Sequence, residues 1–437
     1  MTGSLTAHAK TVEAAGLDAV ERSALRKTGW RLVPLLTVAY LFNYLDRTCL
    51  GFAALSMNGD IGLSATQFGL GAGIFFLGYC VFEIPSNLAL YRFGARRWIA
   101  RIMVSWGLIS AATAFVVGPN SFYAVRCLLG IAEAGFFPGV TYFIAAWFPA
   151  QYRTRMLAWF LLGIPGSSLL GGPICGLVLQ MNGLWGLAGW KWLFLVVSLP
   201  CVLLGVLILL MLADRPQEAS WLSQPERDAM DAMLAAEVRE RPTSSLMAAV
   251  VDPRVLILAG VQFGFTLGSY GIGIWLPLIV KQYHLSDLVI GFVSAIPYLF
   301  ASMAMMAWAW HVDRTGRRIA NLVVTCLLGA VGLAVSVLVS GSLLVGLFGL
   351  TLALVGVTAA RAVFWTVPTR FLTGVAAAGG LAFINTIGTV GGFVGPAMMG
   401  WLRDLTGSFQ SGLLAMSAIM LAATLLSASL GLLVRRE

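Results

Sequence analysis

Charge is what this chain lacks. Of 437 residues only 11% are Asp, Glu, Lys or Arg, while 59% are hydrophobic. A soluble domain could not hide that much apolar surface. Histidine is almost absent: His8, His284 and His311 are scattered, which argues against a histidine-built metal site. The six cysteines (Cys49, Cys80, Cys127, Cys175, Cys201 and Cys326) lie in apolar runs and form no Cys-x-x-Cys pair. They read as small buried hydrophobes rather than a disulfide framework. A Gly-x-Ser-x-Gly elbow, a P-loop and a His-Glu-x-x-His motif are all missing, so hydrolytic or ATP-driven chemistry has no support. Gly69, Gly71 and Gly73 fall inside an apolar run without a preceding strand and read as helix packing. No enzymatic activity, cofactor or metal is expected.

What is present is a series of apolar runs of bilayer-spanning length. They are continuous rather than alternating, which selects helices over a barrel. Twelve spans are expected, near 33–55, 66–88, 98–118, 122–148, 156–180, 192–213, 254–280, 288–311, 319–340, 343–367, 374–401 and 409–434. The fold class is therefore an all-α membrane protein. Residues 1–30 are polar and mixed in charge, and no cleavage pattern follows the first run, so that run is expected to stay in the membrane.

The arginines set the expected orientation. Arg92, Arg96, Arg97 and Arg101, then Arg153 and Arg155, then Arg314, Arg317 and Arg318 occupy alternate connections. Arg22, Arg26, Lys27 and Arg31 precede the first span, and Arg435 and Arg436 follow the last. The other connections hold only Lys191, Lys281 and Arg403. Positive residues stay inside, so both termini are expected in the cytoplasm of a multi-pass inner (plasma) membrane protein. The net charge of +9 is explained by these span ends and anionic lipid, not by nucleic acid. The lipid bilayer is the expected partner, and the chain is taken to act as a monomer.

The one long polar stretch divides the chain. The expected layout is a cytoplasmic segment 1–32, a six-helix bundle 33–213, a linker 214–253 and a second six-helix bundle 254–434. Within the linker, residues 226–240 read as a short surface helix with Met230, Met233 and Leu234 on one side. The halves repeat. Tyr91-Arg92-Phe93-Gly94-Ala95-Arg96-Arg97 follows the second span of one half, and Asp313-Arg314-Thr315-Gly316-Arg317-Arg318 follows the second span of the other. The shared Arg-x-Gly spacing points to a duplicated six-helix unit.

Four charges sit in segments that should be oil: Asp46 and Arg47 in the first run, Arg126 and Glu133 in the fourth. Charges at such depth normally face a cavity and mark a solute or proton path. Helix rise puts Asp46 and Arg126 at similar depth, so an Asp46–Arg126 ion pair is geometrically reasonable. Arg126, Gly130, Glu133 and Phe137 share one helix face that could line a cavity. The guanidinium of Arg47 suits bidentate carboxylate binding. Glu133 and Asp46 are the candidate proton carriers, because burial and a neighbouring arginine pull a carboxyl pKa in opposite directions. The bland alternative is a static ion-pair network that fixes helix register. Tyr44 and Tyr79 are candidate substrate hydrogen-bonders, with interhelical packing as the alternative. Trp275, Tyr298 and Trp365 are candidates for an aromatic wall, with packing the ordinary role for each. Glu83, near the cytoplasmic end of the second span, is expected to pair with loop arginines in a gate. Asp313, Arg314, Arg317 and Arg318 are expected to form a charge clamp that stabilises one facing state. Arg361 is expected to snorkel toward the cytoplasm; a second carboxylate site, favouring a diacid, is the alternative.

Twelve spans split six and six, with Asp313-Arg314-x-Gly316-Arg317-Arg318 between spans eight and nine, resemble the major facilitator superfamily. The first-half loop departs from that pattern at Tyr91 and Ala95, where Asp and Arg are usual. Asn43-Tyr44-Leu45-Asp46-Arg47, Phe82-Glu83-Ile84-Pro85-Ser86-Asn87, and the stretch Arg126 to Gly139 containing Glu133 and Pro138 look like the anion:cation symporter branch. So does Trp365 to Gly395, with Pro368, Asn385 and the Gly391-Gly392 pair. Thr389 stands where many relatives have a substrate-touching Asn. The resemblance implies two pseudo-symmetric six-helix bundles with a midplane site and alternating access. It implies proton-coupled uptake of a small organic anion such as a sugar acid, a hydroxy acid like tartrate or an aromatic carboxylate. It also implies roles in binding for Arg47, Arg126 and Asn385 and in coupling for Asp46 and Glu133, with H⁺ as coupling ion and Na⁺ as the other candidate. The competing function is a drug/proton antiporter of the same fold, which the arginines disfavour.

Overall fold

The computed structural model describes residues 19–235, 251–338, 342–368 and 374–434. Among these residues the regular structure is helical, with no strand. Among the described residues, eleven segments are long and apolar enough to cross a membrane. The helix α1 (Ala19–Asp60), which holds the run expected as the first span, is not among the eleven. The expected cytoplasmic residues 1–18, Arg435 and Arg436, and the linker helix beyond Ala235, lie outside the described residues.

The first half continues with α2 (Ala65–Phe93), α3 (Ala95–Ala112), α4 (Pro119–Glu133), α5 (Phe136–Trp147), α6 (Ala150–Leu161), α7 (Gly163–Leu179) and α8 (Gly189–Met211). A short α9 (Gln224–Ala235) follows, then α10 (Pro253–Lys281), α11 (Asp287–Thr315), α12 (Arg318–Leu338), α13 (Leu343–Phe364), α14 (Gly374–Thr406) and α15 (Gln410–Val434). Polar caps mark the helix starts. Ser64 and Gln67 form a reciprocal capping box ahead of α2, and Asp252, Ser286 and Ser342 cap α10, α11 and α13.

One break positions the site. Pro138 has no amide hydrogen, so the carbonyl four residues earlier, on Ala134, loses its helical donor. The chain kinks there: Gly135 takes φ +87°, and a new helix starts at Phe136. The Ser86 hydroxyl donates to the freed Ala134 carbonyl at 2.6 Å, and the Trp98 indole donates to Ser86 at 3.0 Å. The membrane interior tolerates such a break because protein side chains replace the lost bond. Glu133 thus sits at the last residue of a helical segment rather than within a straight span.

The two halves meet at their arginine-poor ends. There backbones approach closely through small residues, as in other membrane bundles. A Cβ added at Gly172 would lie 2.3 Å from the Gly291 carbonyl oxygen, and one at Gly400 would lie 2.2 Å from that of Ala65. The Asp404 carboxylate caps α2 of the other half, accepting from the amides of Ala65 at 3.1 Å and Thr66 at 2.7 Å. One apolar core runs through both halves here, joining Phe52, Phe68 and Trp190 to Phe265, Trp275 and Ile279. At the arginine-rich end the first half has its own core around Tyr40, Trp106, Phe136, Phe143 and Trp147. There α2 leaves Ile84, Leu88 and Tyr91 exposed, and α11 leaves Met306 and Trp310 exposed.

The linker departs from a simple surface helix. The helix α9 packs Met230 into the first half's core, and the Trp221 ring stacks on Trp147 with the Arg31 guanidinium 4.6 Å above it. Glu226 is buried against α1, accepting from Ser23 at 2.8 Å and pairing with Lys27 at 2.7 Å.

Candidate functional site

Asn43 and Arg47 lie four residues apart on one face of α1. Both reach the same oxygen of Glu133. Asn43 donates to Oε1 at 2.7 Å, Arg47 Nε donates to it at 3.0 Å, and Arg47 Nη2 closes an ion pair with it. The other carboxylate oxygen of Glu133 is buried without a hydrogen-bond partner. Arg47 also crosses the midline: its Nη1 donates to the Tyr270 hydroxyl of α10 at 2.8 Å. Aromatic rings surround the guanidinium, with centroids of Phe75, Tyr44 and Tyr79 at 5.0, 5.2 and 5.7 Å. Ring faces of this kind attract a desolvated cation.

Arg126 stands beside this pair. Its guanidinium is 4.9 Å from the centroid of the same Phe75 ring. The residue is 3% exposed, its Nε has no hydrogen-bond partner, and no carboxylate among the described residues is within ion-pair distance. The expected Asp46–Arg126 pair is therefore not formed. The reason is helical: Asp46 and Arg47 are consecutive, hence about 100° apart around α1. With Arg47 facing the midline, Asp46 turns into the first half, where its carboxylate accepts from Ser110 and, at 3.3 Å, from the Trp106 indole of α3.

The second half supplies a smaller polar set. Gln262 of α10 donates to Asn385 of α14 at 3.3 Å, and the Gln262 amide oxygen is buried with no partner. The Thr389 hydroxyl is used within its own helix, on the Asn385 carbonyl. Arg361 overturns the snorkelling expectation: its Nη2 donates to the Ser269 hydroxyl of α10 at 3.1 Å. Its helix ends inside the bundle, where the fully buried Phe364 packs edge-on against Phe265, so depth counted along the sequence misplaced it.

Other expected site residues lie elsewhere. Trp275 is fully buried in the contact between halves, edge-on to Phe68 and donating to the Pro396 carbonyl at 3.2 Å. The expected charge clamp is not assembled here. Asp313, Arg314 and Arg317 are exposed, Arg314 lies over Trp310 at 3.7 Å, and Arg318 donates to the Thr366 carbonyl at 2.9 Å. Neither Asp313 nor Glu83 makes an ion pair among the described residues. Among the described residues no ion pair joins these groups across the two halves. A recess of about 510 Å³ lined by Tyr283, His284 and Ser336 lies at the arginine-poor end, remote from Arg47.

Sequence reasoning missed Tyr270, Asn43 and Gln262. Asn43 carried a usable signal, its four-residue spacing from Arg47. Ser269-Tyr270 is a polar pair within an apolar run, which marks it in the same way a buried charge is marked.

Residues 36–396 match the model of the Major Facilitator Superfamily. A putative tartrate transporter of Agrobacterium vitis is 48% identical over 93% of this chain and 91% of its own. A quinolone resistance transporter of Acinetobacter baumannii is 42% identical over 93% of this chain and 94% of its own. Among solved structures, a bacterial homologue of the human lysosomal transporter Spinster, inward-facing and occupied, superposes with a TM-score of 0.76 at 16% identity, covering 95% of this chain and 98% of that one. The chain belongs to the major facilitator superfamily, and is a multi-pass membrane transporter of small molecules.

Proposed function

We propose that this protein carries a small organic anion into the cell together with protons. The substrate class is a sugar acid, a hydroxy acid such as tartrate, or an aromatic carboxylate, and the relative named as a putative tartrate transporter supports it. The chain spans a bacterial inner membrane twelve times with α1 as the first span, keeps both termini in the cytoplasm and works as a monomer. Its two six-helix halves rock about the midline site. On that orientation the structure is the state closed to the outside, since the arginine-poor ends are the ones in contact.

One observation carries the reading: Arg47 is shared between Glu133 and Tyr270 of the other half, while Arg126 is buried beside it with no carboxylate. A buried unpaired cation is costly, so the site has unmet demand for an anion. Ionised Glu133 competes with a substrate carboxylate for Arg47. Protonation of Glu133 ends that competition, so proton and anion favour each other's binding. Co-transported protons also offset the membrane potential, which opposes anion entry by about 2.3 kcal/mol per charge per 100 mV. Asp46, bonded to Ser110 and Trp106 within the first half, is the second proton group.

The test is uptake of labelled sugar acids, tartrate isomers and aromatic carboxylates into proteoliposomes, with an inward proton gradient, a Na⁺ gradient or neither. Accumulation only with the proton gradient supports the reading. Accumulation driven by Na⁺ alone replaces the coupling ion. The relative named as a quinolone resistance transporter favours a second reading, drug efflux in exchange for protons. Transport of such drugs with no movement of any acid in the panel would establish that second reading instead.

A further inference from the structure

The Arg47 cluster does not use Arg361, although the fold brings it to the same place. Arg361 is half-buried on α13 and donates one hydrogen bond, to Ser269 at 3.1 Å. No carboxylate among the described residues pairs with it. Ser269 is the immediate neighbour of Tyr270, the residue that accepts from Arg47. Consecutive helical side chains diverge by about 100°, yet the Arg361 charge, like that of Arg47, is near enough to act on the Tyr270 hydroxyl, so the two arginines share the neighbourhood of Tyr270. A guanidinium has five N–H donors, and Ser269 takes one of them.

The second half also contains no acid that could serve as a counter-ion. Its only carboxylates in residues 254–434 are Asp287, Asp313 and Asp404, each near a helix end. Lys281 holds Asp287 at 3.1 Å, Asp404 caps α2, and Asp313 is exposed. The cation on Arg361 therefore lacks an anion within its own half, whereas Arg126 has Asp46 and Glu133 in its half but pairs with neither.

We propose that Arg361, positioned by Ser269, receives the second carboxylate of a short dicarboxylate whose first carboxylate is held by the Arg47–Arg126 pair. The preferred substrate is then a diacid, and each half of the transporter grips one end of it. A ligand held from both sides draws the halves together. A monocarboxylate occupies the first subsite only and leaves Arg361 unpaired. This deepens the organic-anion reading and rests on it.

The experiment measures binding of dicarboxylates (tartrate, malate, succinate) and matched monocarboxylates (glycerate, lactate, butyrate) to the purified full-length protein in detergent, by calorimetry. The wild type is expected to prefer the diacids by at least about tenfold, the scale of one charge-assisted carboxylate contact. In Arg361→Gln that preference collapses while monocarboxylate affinity holds. Arg361→Lys retains part of it, and Ser269→Ala weakens it less than Arg361→Gln does. Equal loss of both acid classes in Arg361→Gln, or no loss of diacid affinity, overturns the proposal. Wild type that binds monocarboxylates as tightly as diacids overturns it too, yet leaves the organic-anion reading standing. Wild type that binds neither class overturns the diacid proposal, and the uptake panel with its sugar acids and aromatic carboxylates then decides the organic-anion reading.

Discussion

The two halves share an architecture but divide the chemistry between them. The first half holds the acids: Glu133 bonded to Arg47 and Asn43, and Asp46 bonded to Ser110 and Trp106. The interior polar side chains of the second half include Gln262, Ser269, Tyr270, Asn385 and Arg361, and none of these is a carboxylate. Among the described residues, the buried carboxylates at this level therefore lie on one side of the midline only. The other side offers hydrogen bonds and a fixed positive charge. Such an asymmetry suits a symporter in which the first half alone reads protonation while both halves hold the solute, with Arg47 in contact with each.

The largest expected effect comes from breaking the acidic half. Glu133→Gln keeps the shape of the side chain and removes its charge, which frees Arg47 permanently. Substrate exchange across proteoliposomes should persist, whereas accumulation driven by a proton gradient should fall to background. Normal gradient-driven accumulation by Glu133→Gln would remove Glu133 from the coupling step. Arg47→Ala should be worse in a different way. It strips Glu133 and Tyr270 of a shared partner and leaves a buried carboxylate with Asn43 alone. Losses from cutting one member of a buried charge pair run to roughly 2–5 kcal/mol, so binding of the transported acid should drop by about thirtyfold or more. Direct binding measurements separate the two variants, because Glu133→Gln binds and Arg47→Ala does not.

Much of this was legible in the sequence because apolar surroundings make a charge conspicuous. Asp46, Arg47, Arg126 and Glu133 stand out in oil, and three of the four converge around Phe75 and the midline. Their pairing was not legible. Depth along a span gave Asp46 to Arg126, but the azimuth around α1 decides the partner, and adjacent residues point in directions about 100° apart. Arg361 failed for a related reason. Counting residues from a helix end assumes that the end lies at the membrane surface, whereas Phe364 is wrapped inside the bundle. Of the two roles open to Trp275, cavity wall or packing, the structure shows packing: it is a wedge between helices. An apolar ring in an apolar run gives no sign of which face it serves. The glycine contacts show the same limit, since Gly172 and Gly291 reveal their purpose only when the two halves are brought together.

A smaller effect would sharpen the division at its one hydrogen-bonded seam. Tyr270→Phe deletes the hydroxyl that accepts from Arg47 and retains the ring that packs on Phe76 at 4.4 Å. One hydrogen bond to a charged group is worth about 1.5–3 kcal/mol, less whatever water restores. The apparent melting temperature in detergent should fall by a few degrees. The same substitution made on an Arg47→Ala background should cost almost nothing, because the partner is already gone. Equal costs in the two backgrounds would mean that Tyr270 acts through packing, and that the halves are not joined through Arg47.

The smallest effect concerns a further acid engaged by the first half, at the linker. Glu226 is buried against α1 and outside the spans. The Lys27 hydrogen bond, then the Ser223 amide and the Ser23 hydroxyl, hold its carboxyl at about 2 despite burial. An unfolded glutamate titrates near 4.3, so the folded pKa is the lower one. Stability from this group is then fully present above the unfolded value and is lost as pH falls toward the folded one. Glu226→Gln should melt a few degrees below wild type at pH 7. The gap should stay constant down to about pH 5 and narrow below it. A gap that does not change between pH 7 and 3 would assign Glu226 to shape rather than charge. It would also mean that α9 is fixed to the first half by Met230 and Trp221 alone, with no electrostatic preference for that half over the other.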